Sequence, residues 1–159
     1  MSLENVREYL KKYGKDQDII LFDQSSATVK EAAADLGTEE GRIAKTMSFL
    51  LASGPIVIVA AGDEKIDNRK FKDTFHEKAK MIGHDDVEAL TGHPVGGVCP
   101  FALKEGVKVY LDESLRRFDY VYPAAGTPNS AIKLTIEELE KTSECDGWID
   151  VTKLPDQNQ

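Results

Sequence analysis

Ile43-Ala44-Lys45-Thr46-Met47-Ser48-Phe49-Leu50-Leu51-Ala52-Ser53-Gly54-Pro55-Ile56-Val57-Ile58-Val59-Ala60-Ala61 decides the architecture. Ile43 to Leu51 reads as a strand, and Pro55 to Ala61 as a second. Ser53-Gly54 between them supplies the turn, so the two runs form a hairpin. A hairpin fixes at least one antiparallel pair at the centre of the chain.

Turn signals divide the rest into short elements. Upstream, Leu3 to Tyr13 is expected to be helical. Leu3, Val6 and Leu10 share a face, Ser2 can cap the start and Gly14 suits the stop. Ile19 to Phe22 reads as a buried strand. Thr28 and Glu31 form a capping box for a second helix. Val29, Ala32, Ala33 and Leu36 give its apolar stripe, and Gly37 ends it.

Downstream, Asn68 to His76 is a helix, Ala79 to Ile82 a short strand and Asp86 to Leu90 a helix. Gly92 to Pro100, with three glycines and two prolines, must be loop. Val107 to Leu111, Tyr120 to Ala124, Ala131 to Leu134 and Trp148 to Val151 read as strands. Glu113 to Phe118 is a short helix, and Thr135 with Glu138 opens another as far as Lys141. The irregular order of strands and helices predicts an α+β fold, a mixed or antiparallel sheet flanked by helices. One domain over residues 1–155 is expected, with 156–159 as a tail.

The chain has 159 residues, 41% hydrophobic and 30% charged, which argues against a disordered or fibrous class. The net charge of -8 disfavours a dedicated duplex-DNA binder. Thr46 to Gly62 lacks charge but is too short to span a bilayer, and Gly54-Pro55 breaks it, so no membrane partner is expected. The start, Met1-Ser2-Leu3-Glu4, has no signal-peptide pattern. Cys99 and Cys145 are too few for a disulfide framework and match no metal spacing, so a cytoplasmic location is expected. His76, His84 and His93 also lack metal-ligand spacing and read as surface residues. No phosphate-binding glycine motif and no serine-nucleophile elbow is present.

Three places could carry chemistry. Lys45 shares a strand face with Ile43, Met47, Phe49 and Leu51. Either it snorkels to water at the strand end, or its ammonium faces a pocket ready for a ligand oxygen. His93-Pro94-Val95-Gly96-Gly97-Val98-Cys99-Pro100-Phe101 is either a tight connection or a loop aiming N–H groups at an oxyanion. Ala124-Ala125-Gly126-Thr127-Pro128-Asn129-Ser130 is turn chemistry. Between Lys65 and Lys80 the charge is locally positive: Lys65, Arg69, Lys70, Lys72, Lys78 and Lys80 oppose Asp67, Asp73 and Glu77. That strip is a solvated helix face or a landing surface for phosphates.

In order, Thr28-Val29-Lys30-Glu31-Ala32-Ala33, Gly41-Arg42-Ile43-Ala44-Lys45-Thr46, Gly96-Gly97-Val98-Cys99-Pro100-Phe101 and Ala125-Gly126 resemble the YbaK/EbsC/ProX family of aminoacyl-tRNA deacylases. The strand Ala131 to Leu134 and the helix after it continue the likeness, which spans roughly Asp18 to Val151. The resemblance implies a prolyl-tRNA synthetase editing-domain-like fold. It also implies hydrolysis of small wrong amino acids such as Ala or Cys from tRNA for proline, with no metal or cofactor. The implied partners are the acceptor end of aminoacyl-tRNA and prolyl-tRNA synthetase. By resemblance Lys45 is the hallmark pocket residue, and the backbone of Gly97, Val98 and Cys99 stabilises the oxyanion. Thr46, Gly96, Pro100, Phe101, Gly126 and Asn129 contact the substrate. Cys99 stands where serine is common in that family, and Asn129 where some members carry other polar residues. Two rival readings are a non-catalytic module that binds aminoacyl ends or a small metabolite, and a thiol enzyme using Cys99.

Overall fold

A computed structural model of the chain describes residues 2–26 and 28–155. The elements follow from local chemistry. Helix α1 (Ser2–Lys11) buries Val6 and Leu10. Strand β1 (Ile19–Leu21) leads to α2 (Val29–Leu36), where the Thr28 side chain accepts from the Glu31 N–H and Gly37 closes the end at φ 67°. Then come β2 (Ile43–Leu51), β3 (Gly54–Ala61), β4 (Lys65–Ile66) and α3 (Asn68–Phe75), which is capped by the Asp67 carboxylate. Next are α4 (Val87–Thr91), β5 (Lys108–Asp112), a 3-10 turn at Glu113–Arg117 and β6 (Tyr120–Pro123). The chain ends in β7 (Ser130–Ile132), β8 (Leu134–Thr135), α5 (Ile136–Ser143), β9 (Gly147–Ile149) and β10 (Thr152–Lys153).

The expected hairpin is the axis of the molecule. β2 and β3 pair antiparallel from Ala44↔Ala61 to Leu51↔Gly54. They sit at the centre of a six-stranded mixed sheet ordered β8-β6-β2-β3-β5-β9. β6 joins β2 in parallel, as β5 joins β3, while β8 returns antiparallel to β6. Two small antiparallel pairs, β1–β7 and β4–β10, brace the rim.

Strand alternation divides the hydrophobic residues between two faces. Ala44 and Val59 join Val6, Leu10, Phe101 and Leu139, so α1, α5 and the glycine-rich loop cover one face. Phe49, Leu51, Ile56 and Ile58 pack with Phe71, so α3 covers the other. The fold is thus a single α+β domain with helices on both sides of a mixed sheet.

Some boundaries differ from expectation, each for a local reason. α1 begins at Ser2 itself, so Ser2 is its first residue and not its cap. Residues 79–82 form no full strand; Met81 makes one bridge to Phe49. The run expected from Ala131 to Leu134 splits at Lys133, because Ile132 pairs with β1 while Leu134 pairs with β6. The run at Trp148 to Val151 stops at Ile149, because the Val151 N–H is taken by the Asp112 carboxylate (2.8 Å). Beyond Pro155 the expected tail lies outside the described residues.

Candidate active site

The sheet itself makes the cavity. β6 accompanies β2 only along Ile43 and Ala44. Residues 80–82 rejoin the same edge further on, through Leu50 N–H to the Lys80 carbonyl (2.9 Å) and Ile82 N–H to the Ser48 carbonyl (3.1 Å). Between these contacts opens a cavity of about 460 Å³. Lys45, Thr46, Met47 and Ser48 line it from β2, and Val29, Ala32 and Leu36 from α2. Met81 and Ile82 line another side, and Val95, Gly96 and Val98 come from the glycine-rich loop. Thr127 and Pro128 from the turn before β7, and Ser130 at the start of β7, complete it. Among the described residues, no aspartate or glutamate lines it and Lys45 is its one lysine or arginine. No cluster of three His, Cys, Asp or Glu side chains suited to a metal occurs among them.

Lys45 is half-buried and does not snorkel to bulk water. Its Nζ donates to the main-chain carbonyl of Glu64, in the turn after β3. Burial lowers its pKa, and the Asp63 and Glu64 carboxylates oppose that shift. Glu64 is itself fixed, accepting from the Thr152 hydroxyl (3.0 Å) and facing Arg117 Nε at 3.4 Å. An ammonium has three donors, so two remain for a ligand.

The glycine-rich loop folds back on itself. Gly97 N–H donates to the Pro94 carbonyl (2.9 Å), which removes it from the expected set of oxyanion donors. Gly97 is required for another reason: a Cβ there would lie 2.5 Å from the Gly126 carbonyl oxygen. No hydrogen bond among the described residues engages the N–H of Val98 or Cys99.

His93 is fully buried, which corrects its expected surface position. Its Nε2 lies 2.6 Å from the Phe101 carbonyl and so must carry the hydrogen and donate. Its Nδ1 then accepts from the Ser2 hydroxyl at 2.5 Å. Burial lowers its pKa, keeping the ring neutral. The imidazole ties the two ends of the loop together and both to α1.

Cys99 is also fully buried, behind the loop and away from the cavity lining. Its Sγ is 3.5 Å from His93 Nε2, but that nitrogen already bears a hydrogen and cannot take the thiol proton. Burial pushes the thiol up to about 12. The thiol-enzyme reading therefore has no reactive thiolate.

Of the residues named from sequence, Lys45, Thr46, Gly96 and Val98 share the cavity. Pro100 and Phe101 are buried behind the loop, where Phe101 packs on Tyr9. Gly126 backs onto Gly97 and Ser2. Asn129 is absorbed by its own turn, accepting from the Thr127 hydroxyl (2.7 Å) and donating to the Phe22 carbonyl (3.4 Å). Their neighbours Thr127, Pro128 and Ser130 face the cavity instead. Sequence reasoning missed the α2 stripe as a cavity wall, although Val29, Ala32 and Leu36 were already on one face. It also missed His93 as the loop's clasp, although that residue sits at the loop's entrance.

The fold and cavity define a class: a small α+β protein with a largely apolar cavity at the open edge of a mixed sheet, served by a single lysine. The chain belongs to the family described as the aminoacyl-tRNA editing domain, whose model matches residues 23–142. It is 48% identical over 154 residues to "Uncharacterized protein YwhH" of Bacillus subtilis (strain 168), covering 96% of this chain and 98% of that one. It is 30% identical over 120 residues to "Putative Cys-tRNA(Pro)/Cys-tRNA(Cys) deacylase EbsC" of Enterococcus faecalis (strain ATCC 700802 / V583), covering 74% and 73%. A solved structure described as "a putative trans-editing enzyme for prolyl tRNA synthetase" superposes with a TM-score of 0.86 at 27% identity, covering 96% of this chain and 97% of that one.

Proposed function

We propose that this protein is a free-standing hydrolase that removes wrongly attached amino acids from tRNA, with alanyl- and cysteinyl-tRNA for proline as its first candidate substrates. The observation that carries the reading is that the Lys45 ammonium and the glycine-rich loop line one cavity. The family match and the name of the Enterococcus relative support it.

The chemistry follows from what the cavity offers. The two spare Lys45 donors hold the terminal phosphate or the carbonyl end of the substrate. The N–H groups of Val98 and Cys99 receive the charge that develops on the ester oxygen. Water, or a group on the substrate itself, adds to the carbonyl carbon. The bond to the ribose oxygen then breaks, and that oxygen takes up a proton. Among the described lining residues there is no carboxylate to act as base, and the imidazole of His84 is exposed to solvent, so positioning supplies much of the rate. In this reading the partner is the acceptor end of tRNA, the location is cytoplasmic, and prolyl-tRNA synthetase is a further candidate partner.

The net charge of -8 favours a second reading, a module that binds aminoacyl ends without cutting them. A deacylation panel across charged tRNAs separates the two. Release of amino acid above the uncatalysed rate is expected for at least one small residue on tRNA for proline. Saturable binding with no release from any aminoacyl-tRNA would establish the module instead.

A further inference from the structure

The edge of β2 that faces away from β3 is paired at both ends and open in the middle. Along a strand, the N–H and C=O groups of every second residue point to the same edge. Leu50 N–H and Ser48 C=O are bonded to residues 80–82 on the outer edge, so Thr46 N–H and C=O point there too. Ile43 and Ala44 are covered by β6, which leaves Thr46 as the gap. On that outer edge, which β3 does not reach and β6 pairs only at Ile43 and Ala44, its N–H and C=O find no partner among the described residues, and Thr46 lines the cavity. Its Oγ1 is buried and also has no partner among the described residues. Buried main-chain polar groups are nearly always paired, so a break in a ladder beside a cavity is a place for a ligand's own polar groups.

The atoms that fit this gap are specific. In an antiparallel ladder, two facing residues exchange both of their N–H···O=C bonds. A partner for Thr46 therefore needs a nitrogen donor on the carbon next to a carbonyl. An aminoacyl ester has that order of atoms. We propose that the substrate's amino acid docks as a one-residue strand on the open edge of β2. Its α-amino group donates to the Thr46 carbonyl, and its ester carbonyl accepts from the Thr46 N–H. This rests on the aminoacyl-tRNA reading above and names what the site selects: an α-amino acyl group with an unblocked amine. With no carboxylate among the described lining residues, a main-chain carbonyl takes over amine recognition. Lys45, whose side chain leaves the opposite face of the strand, stays available to the terminal nucleotide.

Two arms test it on the full chain. In the first, single-turnover release is compared for alanyl-tRNA and propionyl-tRNA, which lacks the amine, each divided by its uncatalysed hydrolysis rate. Loss of one hydrogen bond and desolvation of the Thr46 carbonyl should lower the normalised rate on the propionyl ester by about 10-fold or more. In the second, amide resonances are followed on adding 3'-(alanylamino)-3'-deoxyadenosine and its propionyl counterpart. The Thr46 amide should move with the alanyl compound and much less with the propionyl one. Equal normalised rates, or movement of other cavity amides without Thr46, would overturn the docking mode and leave the deacylase reading standing. Absence of hydrolysis on every aminoacyl-tRNA, with no binding of either analogue, would overturn both.

Discussion

Lys45 is the residue on which the proposed chemistry turns, and its surroundings give it a pH signature. Burial favours the neutral amine, so the ammonium is lost at a lower pH than an exposed lysine would lose it. Activity that needs the ammonium should fall on the alkaline side, at a pH below the ordinary lysine range. Lys45→Arg should abolish that limb, because a guanidinium keeps its charge. A deacylation pH profile of both proteins checks this; an unchanged alkaline limb in the variant would separate Lys45 from the titration. Cys99 gives the opposite expectation. Its buried, neutral thiol should resist iodoacetamide at pH 7, and Cys99→Ser should keep deacylation within about threefold, since the side chain does not line the cavity. Rapid labelling by mass spectrometry would contradict this placement. Lys45 was visible in the sequence as a cation among apolar strand neighbours. The burial of His93 was not visible, because its two partners lie 91 residues upstream and 8 residues downstream, and only the tertiary fold brings them together.

The glycine-rich loop owes its shape to two contacts that a composition-based reading cannot supply. One is the approach of Gly97 to the Gly126 main chain. Gly97→Ala should push these segments apart, costing roughly 1–3 kcal/mol of stability and deacylation activity with it. Denaturant unfolding and single-turnover rates measure both, and an unchanged midpoint would show that the segments have room. The other contact is the His93 clasp. The ring's folded pKa lies below its unfolded value of about 6.5, so the unfolded chain binds the proton first. Stability should therefore decline as pH falls below about 6.5, until the lowered folded value is reached. His93→Gln should flatten that part of the curve, which urea melts from pH 7 to 5 will show. The hairpin, the Thr28 cap and the Thr135–Glu138 capping box were legible because each depends on residues close in sequence. The split of the Ala131 to Leu134 run was not, since two different partner strands impose it.

At the scale of the whole molecule, the proposed function asks an acidic protein to meet a polyanion. Lys65, Arg69, Lys72, Lys78 and Lys80 are exposed and form no ion pairs with the described residues, and Lys80 adjoins the cavity residue Met81. This strip would receive the tRNA backbone and steer its end to the cavity. Arg69→Glu with Lys72→Glu should weaken tRNA binding by about 10-fold or more at low salt and leave hydrolysis of a minimal aminoacyl-adenosine unchanged. Equal loss on both substrates would mean that the strip acts on the fold and not on the tRNA. The fold class was readable from the hairpin and the irregular order of elements. The cavity's position was not, because it arises where β6 and residues 80–82 leave β2 uncovered between them. The most direct test of the whole reading is single-turnover release of amino acid from alanyl-tRNA for proline by the native protein and by Lys45→Ala, with unfolding midpoints measured alongside. The expected result is a loss of roughly 100-fold or more in rate at a nearly unchanged midpoint. Equal rates for the two proteins would contradict it.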